Sequence, residues 1–183
     1  MFPMTDPHDW QARVDALWGS ADGLGDDELV RRIDELAAEL PADDPRGPFE
    51  AGGARDSTGD EAGAEEHYRR ALELGLAGRA RTECLIQLAS TVRNLGRPAE
   101  SLRLLDEASA QPGDLADAVA AFRALTLASL GETRLAASVA LRALAPHLPQ
   151  YTRSVRAYAD ELALGSGEAD ATPQAGSDTA ASA

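Results

Sequence analysis

Three glycines at nearly equal spacing constrain this chain more than any other feature. Gly59, Gly96 and Gly131 lie 37 and 35 residues apart, and each stands between two stretches with apolar residues on a helical period. Before Gly96, the residues Leu85, Leu88, Val92 and Leu95 recur at spacings of three, four and three, one stripe of a 3.6-residue helix. Gly96 follows directly and can take the positive φ that ends a helix. Pro98 falls in the next first turn, where its missing N–H has no partner to lose. Leu102, Leu105 and Ala108 then share one face of the second helix. Five residues after the corners stand Ala64, Ser101 and Ala136; nine after, Tyr68, Leu105 and Ala140; twelve after, Ala71, Ala108 and Ala143. Small residues at the first and third offsets allow close helix approach, and the middle one packs between hairpins. A single hairpin cannot bury both faces, so the units should stack.

A fourth corner is expected at Gly25, 34 residues before Gly59, with Val30 and Ala37 at the small positions. Asp34 departs from the pattern there, where a large apolar residue belongs. Trp10, Val14, Leu17 and Trp18 form the apolar side of a short first helix. Asp26 is expected to cap the second, and Asp114 a later one. The stretch from Pro45 to Ser57 reads as the weakest helix, because Gly47, Gly52 and Gly53 each cost about 1 kcal/mol relative to Ala. Either its surroundings hold it or it is the mobile part of the array. Thr152–Leu164 reads as a C-terminal capping helix, and the small, polar residues after it as a disordered tail.

The offsets resemble the tetratricopeptide repeat, a helix-turn-helix unit of 34 residues. The segment Ala64–Leu72, AEEHYRRAL, matches the second helix of that unit best. The strings Leu40–Glu50, Asp56–Leu76 and Ile86–Arg97 are similar to those of a bacterial group, the tetratricopeptide repeat group 5 domain family. The resemblance covers roughly residues 27–160 and implies an all-α fold: a right-handed α-solenoid of stacked helix-turn-helix repeats with about nine helices. The expected division is N-terminal capping helices over 1–44, a repeat domain with its capping helix over 45–164, and a tail over 165–183. No activity comes with the resemblance.

Composition narrows the function classes. The net charge is −14, and all 17 basic residues are Arg. Residues 1–66 hold 18 acids and 5 Arg, which argues against binding to nucleic-acid phosphates. This acidic half is either a solvated face or a surface that meets a basic partner or the Arg-bearing half. Cys84 is the one cysteine, so no disulfide or cysteine metal cluster is expected. His8, His67 and His147 show no metal-ligand spacing, and no phosphate-binding or nucleophile motif occurs. No metal, no cofactor and no enzymatic activity are expected. MFPMTDPHDW has neither a basic nor an apolar leader segment, and no run is long enough to span a membrane. A cytoplasmic protein with no membrane partner is expected, of undetermined oligomeric state.

The candidate site lies on the central helix. Gln87, Ser90, Thr91 and Asn94 fall at i, i+3, i+4 and i+7, a polar stripe beside the apolar one. In tetratricopeptide arrays the first helix of each hairpin lines a concave groove. The resemblance therefore implies that Ser90, Arg93 and Asn94, with Asp56 and Ser57 one repeat earlier, face a ligand. The expected peptide-binding groove is Asp56, Ser57, Gln87, Ser90, Arg93 and Asn94, on a protein- or peptide-binding adaptor of unknown partner. The same stripe could instead be solvated, or bond the neighbouring turn and fix hairpin spacing. The next wall, Leu125, Ala128 and Ser129, is mostly apolar and could take the chain's own capping helix. The rival role is then structural or self-associating.

Overall fold

The structure is a computed structural model that describes residues 7–165, with side chains from Asp9 onward. The expectations of a disordered tail and for the His8 side chain lie outside the described residues. Nine α-helices follow one another among them: α1 Pro7–Trp18, α2 Asp26–Ala37, α3 Arg46–Ser57, α4 Glu61–Glu73, α5 Gly78–Asn94, α6 Pro98–Ala108, α7 Ala116–Ser129, α8 Thr133–Leu144 and α9 Thr152–Leu164. They pack as hairpins, α3 on α4, α5 on α6 and α7 on α8. Contacts between α2 and α3, α4 and α5, and α6 and α7 join each hairpin to the next, and α9 closes the array on α8. First helices also meet directly, α3 with α5 and α5 with α7. Each unit leans on its neighbours, which is the organisation of a helical-repeat solenoid.

The corner glycines explain the regularity. Gly59, Gly96 and Gly131 adopt φ values of +84°, +82° and +84°. The N–H that follows each one donates to the carbonyl five residues back: Asp60 to Arg55 at 2.9 Å, Arg97 to Val92 at 2.9 Å, Glu132 to Leu127 at 3.0 Å. This closing bond satisfies a carbonyl that the helix end would leave bare. The expected corner at Gly25 differs. Its φ is −78°, and a 3-10 turn at Ala21–Gly23 carries the chain from α1 to α2. A side chain at a corner meets left-handed backbone strain, so Gly131→Ala should cost about 1–2 kcal/mol. The urea midpoint should fall for that variant and stay in place for Gly23→Ala, where an added Cβ meets nothing.

The small positions do what the spacing predicts. Ala64, Ser101, Ala71 and Ala108 are buried, and Tyr68 and Leu105 fill the places between hairpins. Ser101 and Thr126 share a hydrogen bond of 2.9 Å across the α6–α7 contact. In the last hairpin Ala140 is exposed, since no further hairpin follows to cover it, only α9. Cys84 is buried against the Tyr68 carbonyl at 3.5 Å, and burial pushes its thiol up to about 12. The thiolate that nucleophilic chemistry needs is therefore suppressed.

The surroundings hold α3, and its glycines are the reason it fits. A Cβ on Gly52 would lie 2.6 Å from the Tyr68 ring, one on Gly53 3.3 Å from Trp18, and one on Gly47 3.3 Å from the Ala37 carbonyl. Low helix propensity is outweighed by three close approaches, one each to α4, α1 and α2. Asp34, the misfit of the first unit, accepts two bonds from the Arg55 guanidinium, at 2.9 and 3.0 Å. It thereby ties α2 to α3 through charge.

Two expected caps are replaced. Asp26 is the first helical residue of α2, with Gly25 at the cap position. Asp114 sits in a 3-10 turn and pairs with Arg79 at 3.2 Å, while Leu115 occupies the cap position of α7. Asp60 does cap a helix, accepting from Gly63 N–H at 3.0 Å.

Candidate functional site

A cavity of about 350 Å³ opens between α1, α3 and α5, the first helices of three successive units. Trp18 closes one side, Phe49, Glu50 and Asp56 come from α3, and Glu83 and Gln87 from α5. Tyr68 of α4 lies beneath, its ring centroid 6.4 Å from that of Phe49. These residues reach one place because α3 presents Phe49, Glu50, Gly53 and Asp56 along one side, three to four residues apart. Gly53 lets Trp18 come close enough to form the wall.

Two carboxylates in this cavity, Glu50 and Asp56, are set apart by burial without an ion pair among the described residues. The Glu50 carboxylate accepts from the Trp18 indole N–H at 2.7 Å. The Asp56 carboxylate lies 3.2 Å from the Thr91 hydroxyl and 3.4 Å from the Tyr68 hydroxyl, both donors to it. Neither carboxylate forms an ion pair among the described residues. Several acids at helix–helix contacts are matched: Glu65 and Glu100 interlock with Arg69 and Arg97 between α4 and α6, and Asp106 meets Arg123 between α6 and α7. Neighbouring guanidinium groups hold Glu28, Glu39, Asp44 and Glu65 below the usual carboxylate range. Burial instead pushes Glu50 up, reinforced by Asp15 of α1 and Glu83 of α5 and opposed by the Trp18 bond. Burial also pushes Asp56 up, with Glu61 of α4 adding to it and the two hydroxyl bonds opposing it.

These shifts have a signed consequence. A carboxyl whose folded pKa is raised stabilises the fold at low pH, and that contribution is lost as pH rises through the carboxylate range. Glu50→Gln removes the loss for one group and keeps an oxygen that can accept from Trp18. The variant should melt higher than the parent chain at neutral pH, and the gap should close below the carboxylate range. A variant that melts lower at neutral pH would contradict this.

The six residues expected at the site are not gathered in one place. Asp56, Ser57 and Gln87 line the cavity. Ser57 is exposed at its edge, its hydroxyl donating to the Ala54 carbonyl at 2.9 Å. The Gln87 Oε1 atom is buried and has no hydrogen-bond partner among the described residues. Ser90 is half-buried farther along α5. Arg93 donates to Asn94 at 2.9 Å, and Asn94 donates to Glu61 at 2.8 Å, fastening the end of α5 to the start of α4. Thr91, from the same polar stripe, is buried, and its single hydroxyl proton is shared between the Gln87 carbonyl at 2.9 Å and the Asp56 carboxylate at 3.2 Å. Sequence reasoning missed Trp18, Phe49, Glu50 and Glu83. The signal available was the helical spacing of Phe49, Glu50, Gly53 and Asp56, hidden behind the glycines.

The groove continues past α5 along an apolar wall, with Leu125 of α7 half-exposed. The capping helix does not fill this groove. α9 packs on α8 and on the Ala145–His147 turn, with Ser138 donating to the Ala159 carbonyl at 2.6 Å and Arg142 paired to Asp160 at 2.6 Å. It lies against a second helix, because α8 is the open end of the stack. No helix among the described residues is long and apolar enough to cross a membrane.

A family model described as tetratrico peptide repeat matches residues 45–162. Comparison with curated proteins and with solved structures returns no match. The match begins at α3 and takes in every hairpin whose corner glycine has positive φ. With its hairpins built on that repeat and the match spanning well over half its length, the chain belongs to the tetratricopeptide repeat family.

Proposed function

We propose that this chain is a non-catalytic, cytoplasmic adaptor that binds a protein or peptide along the groove formed by α1, α3 and α5. Tetratricopeptide repeats generally mediate protein–protein interaction. One observation carries the finer reading: the cavity is walled by the first helices of successive units, and its polar groups are held on rigid, well-packed helices. A preformed groove of that kind lowers the ordering cost of binding. Ser90 extends it along α5; Arg93 and Asn94, bonded to each other and to Glu61, would join this rim by exchanging those bonds for peptide main chain.

The test is a displayed peptide library selected on the intact protein, with binders mapped by amide chemical shifts. The reading expects shifts concentrated on α1, α3 and α5. Shifts confined to α8 and α9 would contradict it. They would favour the second reading, self-association, which the exposed Leu144 and Tyr158 on those helices support.

A further inference from the structure

We infer that the cavity between α1, α3 and α5 receives one arginine side chain of the bound partner. This rests on the groove reading and names the chemistry of its occupant.

The cavity offers acceptors and almost no free donors. Glu50 and Asp56 face it as carboxylates whose partners among the described residues are an indole N–H and two hydroxyls. Buried charges are ordinarily matched by an opposite charge, and these two are not. Gln87 lines the same cavity from α5, and its covered Oε1 acceptor has no hydrogen-bond partner among the described residues, so a small turn of the amide would offer it to a donor. Glu83 completes the acidic rim, already paired to Arg79. A ligand that answers all of these must carry several N–H donors and a positive charge. Guanidinium presents five donors in a planar fork and no acceptor.

The walls favour the same group. Trp18 and Phe49 flank the acceptors with aromatic surface, over the buried Tyr68. A guanidinium can lie against such rings while its edge bonds carboxylate. The chain already shows this pairing once, with the Arg46 guanidinium 5.1 Å from the centroid of the Trp10 ring and its edge on Asp44. A cavity of about 350 Å³ has room for a long side chain. Residues 1–6 and 166–183 contain neither Arg nor Lys, so neither of these segments can supply the guanidinium. A net charge of −14 would also steer a basic segment toward the protein.

The experiment titrates blocked alanine pentapeptides with a central arginine, lysine or glutamine into the isotope-labelled chain. Amide shifts and calorimetry are read for the parent and for Glu50→Gln with Asp56→Asn. The arginine peptide should bind at least about tenfold more tightly than the glutamine peptide, the worth of one charge-assisted bond pair. Shifts should centre on Trp18, Glu50, Asp56 and Gln87. The double variant should lose about tenfold while its melting temperature does not fall. Equal binding of arginine and glutamine peptides in this groove would overturn the arginine inference and leave the groove reading standing. No binding by any pentapeptide at millimolar concentration would overturn the inference, and an empty library selection would overturn the groove reading as well. Sedimentation showing a dimer that the double variant abolishes would assign the site to a second copy, and so overturn a separate partner.

Discussion

Tyr68→Ala is expected to remove about 3–5 kcal/mol of folding stability, the range for deleting a buried aromatic ring. Tyr68 is fully buried at the centre of the α3–α4–α5 packing, among Ala64, Ala71, Cys84, Leu88 and Val92. Gly52 is pressed against its ring, so no nearby side chain on α3 can collapse into the space it leaves. The melting temperature should fall by roughly 10 °C for a chain of this length. Tyr68→Phe keeps the ring and removes only the 3.4 Å bond to Asp56, so it should cost no more than about 1 kcal/mol. The complementary change, Gly52→Val, drives a side chain into the same ring and should cost about 1–3 kcal/mol by overpacking. Chemical denaturation of the three variants checks all of this. A Tyr68→Ala cost below about 1 kcal/mol would mean that α3 and α4 do not pack as described.

The second large effect lies at the other end. Trp10→Ala is expected to cost about 3–5 kcal/mol. Trp10 is fully buried, donates its indole N–H to the Leu36 carbonyl at 2.8 Å, and carries the Arg46 guanidinium on its face at 5.1 Å. One side chain thus fastens α1 to α2 and to the start of α3. A solenoid's stability is close to a sum of unit and interface terms, so the loss should fall first on α1 and α2. Hydrogen exchange should show their amides opening ahead of α5 and α6 in the variant. Uniform acceleration along the chain would contradict that picture. Because Trp18 on α1 is a wall of the cavity, the same variant should weaken ligand binding.

The repeats were legible because their demands fall on backbone and volume. A positive φ at Gly59, Gly96 and Gly131, and bulk excluded at Ala64, Ser101 and Ala136, leave marks at fixed offsets in one chain. The α3 helix was hard to judge for the opposite reason. Its glycines read as weakness by propensity, and only the approach of Tyr68 and Trp18 turns them into a requirement. Asp34 read as a flaw because its partner, Arg55, lies 21 residues away on another helix. The failed cap at Asp114 follows the same logic, since its carboxylate is engaged by Arg79 from 35 residues away.

The candidate site was legible only along one helix. The polar stripe on α5 brought Gln87, Ser90, Arg93 and Asn94 to notice, but not their different surroundings. Gln87 turns into the cavity wall, while Asn94 is drawn away by Glu61. Glu50 could not be singled out among so many acids. What distinguishes it is burial beside Trp18 without a cation, which exists only after three helices are stacked.

The most direct measurement is a crystal structure of the chain with the arginine pentapeptide. The account predicts one guanidinium between Glu50 and Asp56, within hydrogen-bond distance of both carboxylates and of Gln87 Oε1, with its plane against Trp18 or Phe49. A peptide seated on α8 and α9, or an arginine side chain turned out to solvent beside an empty cavity, would contradict it.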